Sequence, residues 1–203
     1  MVRETAFDDV FDSQTVFRIL LNAMSRPGVL VPMKECAYRS QPAGFLPPVL
    51  SIMKTLCDHR VSFSLGSAGS RPDWVRYLEV NLATPFRGPS EADYVIFDGA
   101  GFEGDFSLLK RGTLEFPESS ATALLCVGRL ESQPAELDSG VTLLLSGPGV
   151  KTSVSISVSG LDPRYLEERA RANRFYPLGI DIFLVDERGR VAGIPRTSKV
   201  GEG

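Results

Sequence analysis

The sequence predicts an α/β fold: a three-layer α/β/α sandwich around a mixed β-sheet, with residues 1–203 as one domain, its core at about 11–198 and a short flexible C-terminal tail. Nearly continuous apolar runs at residues 93–97, 121–127 and 141–145 suit strands buried on both faces, hence a sheet with helices on each side. Helix-period segments are interspersed with these runs. A chain of 203 residues can bury roughly 70% of its unfolded surface in a single core.

Each element is justified by its residues. Phe17, Leu20, Leu21 and Met24 recur at i, i+3, i+4, i+7, so a helix spans about residues 13–24. Asp12 or Ser13 can cap its first amides, and Arg26-Pro27-Gly28 stops it. Residues 43–58 form a second helix, with Pro47 and Pro48 in the first turn and Leu50, Met53, Leu56 and Cys57 on one face. Val61, Phe63 and Leu65 alternate with serines, which predicts a half-buried strand ending at Gly66. A third helix over about 72–82 carries Trp74, Tyr77 and Leu78. The run at 93–97 ends in Asp98-Gly99, and Ser146-Gly147-Pro148-Gly149 stops the run at 141–145. Val154, Ile156 and Val158 again alternate with serines. Asp162 as N-cap and Pro163 at the first position start a helix over 164–173. Residues 180–185 and 191–194 form a hairpin about Asp186-Glu187-Arg188-Gly189-Arg190.

Composition excludes several classes. Hydrophobic residues at 43% and charged residues at 23% describe a soluble globular chain, not a disordered one. The formal charge of −3, without a block of like charges, disfavours nucleic acid as a partner. No apolar run reaches the ~20 residues that span a bilayer, so no membrane partner is expected. Acids stand in the N-terminal stretch where a secretory signal needs an apolar core. Cys36, Cys57 and Cys126 are odd in number and form no Cys-x-x-Cys pair, so a disulfide framework is not expected; Cys57 and Cys126 read as small core residues. The compartment read from these features is the cytoplasm.

Chemistry-bearing motifs are sparse. The one histidine, His59, has no Gly-x-Ser-x-Gly beside it and reads as a helix-end residue. Neither His nor Cys occurs in zinc-ligand spacing, so no metal is expected. Residues 145–152 fail the phosphate-loop pattern, since Leu145 and Val150 stand where it needs glycines; Gly147-Pro148-Gly149 reads as a turn. Gly99, Gly101 and Gly104 do not make a dinucleotide fingerprint. Arg164, Arg169, Arg171 and Arg174, interleaved with Glu167 and Glu168, read as a solvated, self-paired helix face, although Arg171 and Arg174 could together meet an anion. Glu118 and Asp181 could each be a buried acid or a capping residue. Arg26, before Pro27-Gly28, and Arg196, before Thr197-Ser198, are the cations best suited to phosphate or carboxylate.

Phe17-Arg18, Ala23-Met24-Ser25-Arg26-Pro27-Gly28, Ala92-Asp93-Tyr94-Val95, Pro117-Glu118-Ser119-Ser120-Ala121-Thr122, Ser146-Gly147-Pro148-Gly149-Val150, Pro177-Leu178-Gly179-Ile180-Asp181 and Ile194-Pro195-Arg196-Thr197-Ser198 occur in this order over nearly the whole chain. Together they resemble the PhnH subunit family of bacterial carbon–phosphorus lyase. Ser198 for an expected Thr and Val150 for an expected Ile are mild departures.

The resemblance implies a role in using phosphonates as a phosphorus source, within a core assembly with PhnG, PhnI and PhnJ. That assembly displaces adenine from MgATP by methylphosphonate, giving alpha-D-ribose 1-methylphosphonate 5-triphosphate; the radical step on the C–P bond belongs to another subunit. The resemblance also implies a fold similar to pyridoxal-phosphate-dependent transferases without the cofactor site. None of Lys34, Lys54, Lys110, Lys151 and Lys199 stands in a recognisable Schiff-base context, so no cofactor is expected.

Three readings of function follow. In the first, the chain is a non-catalytic subunit, a homodimer in isolation, with Arg26, Asp181, Arg196 and Thr197 as anion- or partner-binding candidates and no catalytic residue. In the second it is a self-sufficient transferase with a degenerate active site built on Arg26, Asp181 and Arg196. In the third it is a scaffold or regulatory module without ligand contacts.

Overall fold

The computed structural model describes residues 7–33, 41–66, 71–102, 104–132 and 140–202. Cys36 and Lys34 lie outside them.

Ten strands and four helices follow one another along the described chain: α1 (Phe11–Ser25), β1 (Val31–Pro32), α2 (Pro47–Leu56), β2 (Phe63–Leu65), α3 (Pro72–Asn81), β3 (Tyr94–Asp98), β4 (Thr122–Val127), β5 (Arg129–Glu131), β6 (Gly140–Ser146), β7 (Val154–Ser159), α4 (Arg164–Ala172), β8 (Asp181–Asp186), β9 (Arg190–Ile194) and β10 (Lys199–Glu202). They build two sheets. The larger is mixed, in the order β1-β9-β8-β4-β3-β2, with β2, β3, β4 and β8 parallel and β9 antiparallel to both its neighbours, β8 and β1. The smaller, β10-β6-β7-β5, is antiparallel throughout.

Alternation along the central strands separates two cores. Ile96, Leu124, Cys126, Phe183 and Val185 face α1, α2 and α3. Val95, Phe97, Ala123, Leu125, Val127, Ile182 and Leu184 face the smaller sheet and α4. Both faces of the central strands are therefore apolar, as the unbroken runs at 93–97 and 121–127 imply. The run at 141–145 belongs elsewhere. It forms β6 of the smaller sheet, where Leu143 and Leu145 point inward and Leu144 is exposed, so it is not buried on both faces. The second face of the mixed sheet is accordingly covered by a sheet together with α4, where helices were expected.

Other expectations shift locally. Asp12 and Ser13 do not cap α1; the Asp8 carboxylate accepts from the amides of Val10 and Phe11, while Asp12 accepts from the Asp8 amide. Those two amide bonds hold the Asp8 carboxyl below the usual range. Residues 199–202 are no flexible tail, because Lys199–Glu202 pairs antiparallel with β6 from Lys199↔Ser146 to Glu202↔Leu143. Asp162 does accept from the Arg164 amide at 2.9 Å, as its N-capping role requires.

Two tight approaches fix where α1 ends. A Cβ on Gly193 in β9 would lie 2.6 Å from the Ala23 carbonyl oxygen and 2.7 Å from the Met24 nitrogen, both backbone atoms that cannot yield. Gly149, at φ +84°, likewise leaves no room before the Ser25 carbonyl, 2.4 Å from a notional Cβ. The helix end thus rests against β9 and against the turn between β6 and β7.

Gly193→Ala is expected to cost about 3 kcal/mol by forcing α1 off the sheet, read as a lower urea midpoint at unchanged slope. Asp93 supplies a pH-dependent test. Burial raises its carboxyl, but the Lys110 ammonium, the Ser62 hydroxyl and the Ser62 amide outweigh that and leave it below its ordinary value. Its contribution to stability is therefore present above about pH 4 and lost as pH falls through the folded-state value. Asp93→Asn should flatten the fall in stability below that pH; an unchanged acid profile contradicts the assignment.

Candidate functional site

The hairpin β8–β9 pairs Ile182 with Ile194, which brings Asp181, at the start of one strand, beside Arg196, just past the end of the other. The Arg196 amide donates to Asp181 Oδ1 at 2.7 Å, and its Nη2 and Nε reach Asp181 Oδ2 at 2.6 and 3.2 Å. Nη1 donates to the carbonyls of Pro117 (2.8 Å) and Pro177 (3.4 Å), and Nη2 also to the Ser120 hydroxyl. Every nitrogen of the fork is engaged, and the planar geometry is what lets one side chain serve a carboxylate, two carbonyls and a hydroxyl. Two candidates of the sequence thus meet as one ion pair that ties together the starts of β4 and β8 and the loop at Pro177.

The other two are placed apart. Arg26 is exposed at the C-cap of α1, and its side chain has no hydrogen bond or ion pair among the described residues. It does not join the Asp181–Arg196 pair. Thr197 is half-buried in the wall of a cleft of about 510 Å³, lined also by Pro148, Arg169, Asn173, Tyr176, Arg196 and Lys199.

That cleft lies where the quoted sequence motifs converge. Gly28, at φ +85°, packs so closely on Val154 that a Cβ would sit 2.2 Å from its Cγ1. Gly147 approaches the Thr197 carbonyl, and Gly149 the Ser25 carbonyl. The Ser25-Arg26-Pro27-Gly28 stop, the Gly147-Pro148-Gly149 turn and the segment 193–198 therefore share one region, joined by backbone proximity.

Sequence reasoning missed Arg169. It is buried, not part of a solvated face, and alone among the arginines of α4 makes no ion pair among the described residues. One Nη donates to the carbonyls of Pro195 (2.8 Å) and Ser198 (2.9 Å), whereas Nε has no partner. Desolvation pushes its guanidinium down to about 10, the field of Asp181 opposing, so it stays charged near neutrality. A signal was present: Tyr165, Glu168, Arg169 and Ala172 stand at i, i+3, i+4, i+7, the buried stripe of the helix. Arg171 does behave as a self-paired surface cation, at 2.5 Å from Glu168 and 3.4 Å from Glu167.

The remaining candidates take plain roles. His59 is exposed in a turn, and Glu118 is exposed too, so it is no buried acid. Gly147-Pro148-Gly149 is a turn between antiparallel strands. The loop of Gly99 and Gly101 is clamped by the Tyr165 hydroxyl, which donates to the carbonyls of Asp98 and Gly101. Burial raises the Cys57 thiol far above its ordinary range. Among the described residues no group of three or more His, Cys, Asp or Glu side chains could hold a metal ion, and no helix is long and apolar enough to cross a membrane.

The family described as bacterial phosphonate metabolism protein (PhnH) matches residues 5–201. The chain belongs to the PhnH family. A Rhizobium meliloti (strain 1021) protein named alpha-D-ribose 1-methylphosphonate 5-triphosphate synthase subunit PhnH is 30% identical over 196 residues, 95% of this chain and 92% of its own length. HtxG of Stutzerimonas stutzeri, by its name a candidate C-P lyase subunit, is 32% identical over 187 residues, 92% of this chain and 85% of its own. The matched PhnH stretch spans all of the motifs quoted from the sequence.

Arg196→Lys cannot reproduce the fork and leaves Asp181, Ser120 and two carbonyls incompletely satisfied. It is expected to cost about 3 kcal/mol in chemical denaturation, with no rescue by the retained charge. A loss below about 0.5 kcal/mol, the size of a surface pair, overturns this reading of the residue.

Proposed function

We propose that this chain is a non-catalytic subunit of a carbon–phosphorus lyase core complex, needed with PhnG, PhnI and PhnJ partners to form alpha-D-ribose 1-methylphosphonate 5-triphosphate from MgATP and methylphosphonate with release of adenine. The observation that carries it is the near full-length match to a relative named as a subunit of that synthase. The geometry supports a docking role. A degenerate transferase site would need Arg26, Asp181 and Arg196 in one cluster with free donors, yet Arg26 stands apart and Arg196 spends its fork on the fold. Large apolar side chains instead face solvent on loops that Arg196 braces: Leu114, Phe116, Phe175 and Tyr176 are each more than half exposed. Such a patch marks an interaction surface.

A second apolar stripe runs along α1, where Val10, Phe17 and Leu21 are exposed at i, i+7 and i+11. This stripe supports a homodimer in isolation, formed by two copies meeting on one face. The cytoplasm as compartment, a single domain over the whole chain and three-layer kinship to pyridoxal-phosphate-dependent transferases without a cofactor belong to the same proposal; the parallel β2-β3-β4-β8 centre supports the kinship. Arg26 and Thr197 are its surface candidates, while Asp181 and Arg196 shape the surface from beneath.

Co-expressed with the other core subunits, the tagged chain should retain them through purification, and alone it should not turn over ATP and methylphosphonate. Failure to coelute, or turnover by the lone chain, overturns the proposal. Arg26→Ala should fold normally yet weaken coelution. Normal assembly with lost synthase activity would instead place Arg26 on a ligand.

A further inference from the structure

α4 carries a buried acid whose second oxygen meets no cation. The Glu168 side chain is 7% exposed and its Oε1 accepts from Arg171 Nη1 at 2.5 Å. Its Oε2 is shut off from solvent and receives no hydrogen bond among the described residues. What Glu168 does meet, within hydrogen-bonding reach, is a second carboxyl group, that of Asp105. Asp105 caps the single 3-10 turn Phe106–Leu108 by accepting from the Ser107 amide and hydroxyl, each at 2.6 Å. The turn packs on α4 through Phe106, whose ring lies 5.4 Å from that of Tyr165. Two ionised carboxylates have no hydrogen to share and repel each other, so their contact persists only with a proton on one of them.

The surroundings decide which carboxyl keeps that proton. Burial, and then the Asp105 carboxylate, push the Glu168 carboxyl up against the opposing pull of Arg171. The contact with Glu168, and then the Ser107 hydroxyl and amide, hold Asp105 below its ordinary value. The remaining groups that face the pair are the Phe106 amide on the turn and Glu167, which shares Arg171, on α4. Glu168 is thus the donor, and exposed Asp105 the acceptor.

We propose that Glu168 and Asp105 share one proton, donated by Glu168 to the Asp105 carboxylate, and that this proton latches the Phe106–Leu108 turn to α4 and frees the Asp105–Ser107 end as pH rises. Arg171 keeps Glu168 in place, whereas Asp105 already faces water, so on loss of the proton the turn moves and the helix stays. The turn carries exposed Leu108 and leads into the loop of Leu114 and Phe116, part of the apolar docking surface. Control of docking by pH rests on the subunit reading above; the latch itself is a property of the lone chain. Glu168 binds its proton more tightly in the folded chain than in the unfolded one. Its contribution is therefore complete below about pH 4.3 and is lost as pH rises through the folded-state value.

Carboxyl-carbon NMR titration of the full chain tests this, with hydrogen exchange of the Ser107, Leu108 and Leu109 amides, all bonded within the turn, over the same pH range. Glu168 should titrate above the ordinary glutamate value of about 4.3. Above that midpoint the protection of these amides should fall about tenfold per pH unit. Glu168→Gln keeps a neutral N–H donor for Asp105, so protection in that variant should no longer depend on pH. Asp105→Asn removes the neighbouring charge and should lower the Glu168 midpoint. A midpoint at or below about 4.3 or unmoved by Asp105→Asn, or protection with the same pH dependence in the native chain and in Glu168→Gln, overturns the proposal. Failure to coelute with the other core subunits overturns the subunit reading alone and leaves these measurements standing.

Discussion

The geometry around the cleft depends on one guanidinium. Arg196 gathers the Asp181 carboxylate, the Ser120 hydroxyl and the carbonyls of Pro117 and Pro177 around a single plane. These groups come from two separate stretches of chain, 117–120 leading into β4 and 177–181 leading into β8, and Arg196 itself follows β9 at the same end of the mixed sheet. Hydrogen bonds to a charged, half-desolvated fork are stronger than neutral ones, and no other residue type offers five donors in a plane. The exposed aromatic side chains at Phe116 and Tyr176 each precede a proline whose carbonyl that fork holds, so this apolar surface inherits its shape from an interaction beneath it.

Much of the fold was legible because the pattern was local. The prolines opening α2 and α3 and the unbroken runs of β3 and β4 report the environment of the element that carries them, whereas the apolar spacing of α1 located the helix but not its buried face, since Phe17 and Leu21 are exposed while Val16, Leu20 and Ala23 pack inward. What escaped was set at long range. The run at 141–145 looks the same whether it lies in the middle of one sheet or on a second sheet packed over it, and only the pairing with β7 decides. Lys199-Val200-Gly201-Glu202 has little strand propensity of its own and is a strand because β6 offers it an edge.

The site followed the same division. Arg196 stood out because a cation before two hydroxyls at a hairpin end is unusual, but its partners at Pro117, Ser120 and Pro177 are not neighbours in sequence. Arg169 was hidden by company: three other arginines and two glutamates made its helix look uniformly solvated, although its position relative to Tyr165 placed it inside. Three of the sequence motifs converge in one region, where α1 ends, the β6–β7 turn folds over and the chain runs out of β9.

The last strand has a further consequence. By covering β6, β10 occupies a row of amide and carbonyl groups that would otherwise stand open at the rim of the smaller sheet. Leu144 sits on that rim with its side chain toward solvent. Removing four residues would therefore do more than shorten the molecule: it would bare a greasy, twist-matched ladder ready to accept a stray strand, turning a capped sheet edge into a seed for self-association.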